Sequence, residues 1–199
     1  VAGTNGKGSC LALMEALSRE QGWNPGLFTS PHLFRFNERI RVSGEEASDA
    51  AIVCAFEAIE AARGDVSLTY FEFAALAALH VFARAPVDLA LLEVGLGGRL
   101  DAVNIVDADV AVIASVGLDH MEWLGNDRET IALEKYGIAR PGHPLVYGER
   151  DRPASIDRQV ALDEVPLWRA GSEFGADGQG IWWAAGAGRH VREPGRVPL

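Results

Sequence analysis

Val1-Ala2-Gly3-Thr4-Asn5-Gly6-Lys7-Gly8-Ser9, followed at once by Leu11, Leu13, Met14 and Leu17, is the stretch that decides the fold. The leucines and Met14 recur at helical spacing and stop at Gly22, with Asn24-Pro25-Gly26 as the break, so the run reads as strand end, glycine loop, helix. In that context the glycines let backbone N–H groups converge on phosphate oxygens at a helix N-terminus, and Lys7 sets an ammonium beside the terminal phosphates. The spacing departs from G-x-x-x-x-G-K-[ST]: the first glycine lies three residues before Gly6, and Gly8 follows the lysine. A glycine-rich turn opening an ordinary helix is the competing reading; the strand–loop–helix order favours nucleotide binding by Gly3, Thr4, Asn5, Gly6, Lys7, Gly8 and Ser9.

Outward from this loop the same alternation repeats. Leu27-Phe28 leads into a proline loop at Thr29-Ser30-Pro31-His32 and a short Ile40–Val42 strand. Ser48 reads as an N-cap for a helix ending near Gly64, and a second helix spans about Tyr70 to Ala83. Asp88–Val94 and Val110–Ala114 are continuously apolar between polar ends, as expected of parallel strands covered on both faces. Each runs into a polar, glycine-containing loop, Gly95–Asn104 and Gly117–Asn126, where ligands of such sheets bind. A helix from about Asp127 to Ala139, a strand at Pro144–Tyr147 and a helix from Pro153 complete the pattern. The expected fold is α/β, a mostly parallel doubly wound sheet. Beyond Trp168, Asp177-Gly178 and Ile181-Trp182-Trp183 predict a small antiparallel hairpin, an appendage of about 165–199 on the same domain.

The chain has 199 residues, 48% of them apolar, enough to bury a core as one domain. A formal charge of -10 with no Lys/Arg block disfavours nucleic-acid and membrane-surface partners. Cys10 and Cys54 stand far apart, with neither disulfide nor metal spacing, which reads as a reducing cytoplasm. The sequence opens where a buried strand should be ending, and it stops in an extended stretch at Arg196–Leu199. Both features are expected of a piece of a longer chain.

Gly-Thr-Asn-Gly-Lys-Gly-Ser resembles the phosphate loop of Mur ligases, and its Gly8-Ser9 ending that of their folate-linked branch, the folylpolyglutamate/dihydrofolate synthases. Thr29–Leu33, Glu38-Arg39-Ile40, Thr69–Glu72, Leu92–Asp101, Leu118-Asp119-His120 and Glu134–Ile138 resemble further blocks of that branch, in its order. The likeness runs from Val1 to about Tyr147. At Tyr136 and Ala139 a small residue and an aromatic one are expected instead, a departure that concerns packing.

The resemblance implies ATP-dependent ligation of L-glutamate to a folate carboxylate, in dihydropteroate or a folate, through an acyl phosphate, by a cytoplasmic monomer. It implies Mg²⁺, with two ions, held by Ser30, Glu93 and His120, and by Lys135 carrying a CO₂-derived carbamate. It places Thr69, Tyr70, Phe71, Glu72 and Leu100 against the pterin-containing substrate. It makes Lys7, His120 and Lys135 the catalytic side chains, and it implies a glutamate-binding C-terminal domain that no part of this sequence resembles. Residue chemistry offers plainer readings beside these. Glu93 ends an apolar strand where an unpaired carboxylate would be costly, but a loop N–H would also satisfy it. His120 reads equally as a structural loop histidine, Lys135 as a solvated helix lysine, Thr69–Glu72 as a helix cap and Arg99 as a partner for Asp101. Two other functions share many of these residues: a peptidoglycan-precursor ligase, and an ATP-binding module without ligation.

Overall fold

The computed structural model describes residues 1–177, 180–185 and 188–192. In chain order it contains α1 (Lys7–Glu20), β1 (Pro25–Phe28), β2 (Ile40–Val42), β3 (Glu45–Glu46), α2 (Asp49–Arg63), α3 (Tyr70–Arg84), β4 (Leu89–Leu92) and β5 (Ala111–Ile113). There follow α4 (Met121–Leu124), α5 (Arg128–Tyr136), β6 (Leu145–Tyr147), α6 (Ala154–Leu162) and β7 (Leu167–Arg169), then β8 (Phe174–Asp177), β9 (Gly180–Ala185) and β10 (Gly188–Arg192).

Val1 and Ala2 join two strand groups, β3-β2-β1-β4 and β5-β6-β7, into one sheet. The Val1 nitrogen donates to the Leu92 carbonyl at 2.7 Å, and the Val1 carbonyl accepts from Val94 N–H at 2.9 Å. On the other side Ala2 N–H donates to Val112 O and Ala2 O accepts from Ala114 N–H, both at 2.8 Å, in a parallel bridge. From β1 through β4, this central pair, β5, β6 and β7 the strands are parallel; only β2 and β3 run antiparallel to their neighbours. The Gly3–Ser9 loop therefore leaves the carboxyl end of the middle strand, between the loops that follow β4 and β5.

Alternation along the strands sends side chains to two cores. Leu27 and Leu91 meet Leu11 beneath α1, while Phe28, Ile113, Leu145 and Tyr147 face a larger core shared with α2, α3, α5 and α6. In α3, Ala74, Ala75, Ala77 and Ala78 are all buried, and these small side chains bring the helix close to its neighbours. Phe82 lies so near Gly26 of β1 that a Cβ there would sit 2.8 Å from its ring. Caps set the helix starts: Ser48 Oγ accepts from Ala51 N–H, and Asp127 Oδ1 from Thr130 N–H. Each is worth about 1 kcal/mol.

Two expectations change. Leu13 and Leu17, read with Leu11 as one apolar stripe, are about half exposed, and the residue that turns inward beside Leu11 is Glu15. Periodicity marks a face of α1, but the sheet beneath it covers a face centred one residue away. Leu167–Arg169 pairs in parallel with β6, so the antiparallel part begins at Phe174 rather than near residue 165. That part is a three-stranded meander, β8-β9-β10, with Trp183 stacked on His190. Gly178 and the stretch Arg196–Leu199 lie outside the described residues.

Candidate functional site

The glycine loop is stitched to the loop after β5. Thr4 N–H donates to Ser115 O at 3.0 Å, Asn5 N–H donates to Ser115 Oγ at 2.8 Å, and that hydroxyl donates to Asn5 O at 2.9 Å. Thr4 Oγ1 accepts from Gly117 N–H at 2.9 Å and donates to Gly117 O at 3.2 Å. Gly6 then takes φ 81°, the left-handed region where a side chain is strained, and turns the chain into α1. No side chain caps α1. The first-turn N–H groups of Lys7, Gly8 and Ser9 have no intrahelical acceptor, and they carry the positive end of the helix dipole. Lys7 arches back so that its Nζ donates to Gly3 O at 3.0 Å, over the mouth of the loop.

Two groups of side chains flank Lys7. On the β4 side, Glu93 is buried, and its Oε2 accepts from Ser30 N–H at 2.9 Å. Burial raises its pKa, opposed by that hydrogen bond and by the charge of Lys7. A Cβ on Gly8 would stand 3.9 Å from the Glu93 carboxylate, so glycine after the lysine keeps the helix start open to that acid.

On the other side Gly3, Thr4 and Lys7 face Asp119, His120 and Lys135 across a cleft of about 20 Å³, room for little more than a water or an ion. Lys135 is 3% exposed, although it sits on a helix. Its pKa is lowered to about 8, first by burial and then by the charge of Lys7, while Asp119 pulls the other way. Roughly a tenth of the amine is then neutral at pH 7. His120 has φ 49°, a left-handed backbone, and its Nε2 lies 3.6 Å from Asp119 Oδ2.

The β4 loop is fixed from behind. Asp101, buried enough for its pKa to be raised, accepts from the N–H groups of Gly95 and Leu96 at 2.9 and 3.0 Å. Gly95 admits the ring of Phe71, whose atoms would stand 2.7 Å from a Cβ there. Arg99 reaches Glu134 of α5 at 2.9 Å.

No protein-family model matches the chain. It is 50% identical over 174 residues to the dihydrofolate synthase/folylpolyglutamate synthase of Escherichia coli K12, which covers 87% of the chain and 41% of that protein. It is 37% identical over 204 residues to the folylpolyglutamate synthase of Arabidopsis thaliana, covering 94% of the chain and 36% of the relative. The structure of E. coli FolC in complex with DHPP and ADP superposes with a TM-score of 0.90 at 46% identity, over 95% of this chain and 46% of that one. A bifunctional folylpolyglutamate synthase/dihydrofolate synthase with Mn, AMPPNP and L-glutamate bound superposes at 0.88 with 48% identity, over 96% and 47%.

Over the stretch it spans, the chain is similar to the dihydrofolate synthase/folylpolyglutamate synthases. It spans about two fifths of the length of the curated relatives it matches first.

Set against the residues singled out from the sequence, the structure hydrogen-bonds Ser30 N–H to Glu93 and places His120 and Lys135 in the lining of one cleft with Lys7. Among the described residues no three His, Cys, Asp or Glu side chains converge as a ready metal cluster. Thr69 and Glu72 form a reciprocal cap at the start of α3, with Thr69 N–H donating to Glu72 Oε2 at 2.6 Å and Glu72 N–H to Thr69 Oγ1 at 3.2 Å. Tyr70 is exposed, with the Arg39 guanidinium 5.2 Å from its ring centre. Phe71 packs on Phe28 as well as Gly95, and Leu100 stands out in solvent. The plainer reading of Arg99 as a partner for Asp101 does not hold, because the loop N–H groups take the acid and Glu134 takes the arginine.

Sequence reasoning gave no role to Asp119 or Ser115. Asp119 was visible inside the Leu118-Asp119-His120 block; nothing local distinguishes Ser115 from any serine at a strand end.

Proposed function

We propose that the protein carrying this chain joins L-glutamate to a folate carboxylate at the expense of ATP, with dihydropteroate, a reduced folate or both as acceptor. The observation that carries this reading is Lys7 at an uncapped helix start, flanked by buried Glu93 on one side and buried Lys135 on the other. Likeness to synthases solved with ADP or AMPPNP supports it.

Transfer of the γ-phosphoryl group to a carboxylate brings two anions together. The N–H groups of Gly6–Ser9 and the Lys7 ammonium are placed to offset that charge. The acceptor oxygen bonds to phosphorus as the bond to ADP breaks; the glutamate amine then attacks the acyl carbon and phosphate leaves. Glu93, buried with its Oε2 accepting from Ser30 N–H, fits a hard cation, and Ser30 and His120 are its proposed companions. Bound Mg²⁺, in two ions, would neutralise phosphate charge. Lys135 fits carbamylation because burial leaves part of its amine neutral, the form that attacks CO₂. The carbamate would turn a cation facing Lys7 into an anion.

Thr69–Glu72 and Leu100 are proposed to border the pterin site, Phe71 through the β4 loop it supports. The proposed location is cytoplasmic, in keeping with two free cysteines, and the proposed state is monomeric. Among the described residues no helix is long and apolar enough to cross a membrane.

The test is glutamate-dependent phosphate release by the natural protein carrying this chain, with dihydropteroate, tetrahydrofolate and a nucleotide-linked muramyl acceptor side by side. Release with either pteridine acceptor and not with the muramyl one is expected. Release with the muramyl acceptor alone would make it a peptidoglycan-precursor ligase. ATP binding with no amide formed would make it a binding module.

A further inference from the structure

We infer that Ser115 is a positioning residue for the nucleotide: its hydroxyl decides which N–H groups of the glycine loop face the phosphates. The inference rests on the ATP-binding reading above and names a residue outside that loop. Ser115 Oγ both accepts from Asn5 N–H at 2.8 Å and donates to Asn5 O at 2.9 Å, so one side chain holds a whole residue of the loop in place. Its own carbonyl takes Thr4 N–H at 3.0 Å. The first two amides after Gly3 are thereby committed to the β5 loop and turned from any ligand. The donors left for an anion begin at Gly6 and continue through Lys7, Gly8 and Ser9, where α1 has no side-chain cap.

A hydroxyl is the smallest group that can do both jobs. Removing it leaves the Asn5 amide free to rotate toward the phosphates, and the residue beside Gly6, with its left-handed φ of 81°, loses its anchor. The same segment continues two residues to Gly117, held by Thr4 Oγ1 on both its N–H and its carbonyl, and then to Asp119 and His120. The stitch thus ties the phosphate loop to the side of the cleft that carries Lys135.

Ser115→Ala and Ser115→Thr in the natural protein carrying this chain test this. Loss of the two Ser115 hydrogen bonds, partly replaced by water, corresponds to about tenfold weaker MgATP binding. Ser115→Ala is expected to raise Kd and KM for ATP by that factor, to leave KM for glutamate and the folate acceptor within about twofold, and to speed amide exchange at Asn5 in the nucleotide-free protein. Ser115→Thr, which keeps the hydroxyl, is expected to restore both. Unchanged ATP affinity with unchanged Asn5 exchange would overturn the inference, as would equal losses for all three substrates. A wild-type protein that binds no nucleotide would instead overturn the functional reading on which the inference stands.

Discussion

Replacing Lys135 by methionine should stabilise the ligand-free protein. Methionine keeps most of the lysine's length and apolar contact but removes a charge from a position 3% exposed. Burial lowers the lysine pKa from its ordinary 10.5 to about 8. At 1.36 kcal/mol per unit, holding the protonated amine in the fold costs about 3 kcal/mol. Because the folded pKa is the lower one, the unfolded chain binds the extra proton between about pH 8 and 10.5, so this cost is constant below that window and vanishes as pH rises through it. Urea unfolding in CO₂-free buffer should therefore show the Lys135→Met variant more stable by about 3 kcal/mol at pH 7, with the advantage shrinking steadily above pH 8. Equal stability at pH 7, or a difference that does not change with pH, would refute the claim that this lysine is desolvated and partly neutral. The carbamylation proposal would then lose its physical basis.

The other expectations concern single contacts. Lys7→Met should weaken MgATP binding by about a hundredfold or more, read by calorimetry, since it removes the ammonium held over the loop mouth. Asp127→Ala should cost about 1 kcal/mol of stability through the lost cap of α5, measured by chemical denaturation, without changing KM for any substrate. Gly95→Ala should cost more, about 1–3 kcal/mol, because the new methyl would lie 2.7 Å from the Phe71 ring; Phe71→Leu in the same chain should recover part of it. Glu93→Gln should leave folding intact, raise the Mg²⁺ concentration needed for ligation at least about tenfold, and show this in a metal titration of rate.

Much of the architecture was legible because local rules agree with it. The strand–loop–helix at Val1–Glu20, the Ser48 and Thr69 caps and the apolar runs at Leu89–Leu92 and Ala111–Ile113 each follow from a pattern within a few residues. What depended on distant partners was not legible. Leu13 and Leu17 lie on an apolar stripe, yet only the sheet determines that Leu11 and Glu15 turn inward. Tyr136, where a small residue is expected, is buried with its hydroxyl donating to Asp163 at 2.9 Å, a partner 27 residues away. At the site, residue types pointed to Glu93 and the loop lysine. The split into a Ser30–Glu93 contact and a cleft lined by His120 and Lys135, and the Ser115 stitch, come from loops meeting across the sheet.

The central claim, a carboxylate activated by phosphoryl transfer at the Gly3–Ser9 loop and then captured by glutamate, is tested most directly by following oxygen. The acceptor is supplied with ¹⁸O in its carboxylate, together with ATP, Mg²⁺ and L-glutamate, and the released inorganic phosphate is analysed by mass spectrometry. One ¹⁸O atom per turnover should appear in the phosphate, the other remaining in the amide carbonyl. Amide formation with unlabelled phosphate would contradict the account.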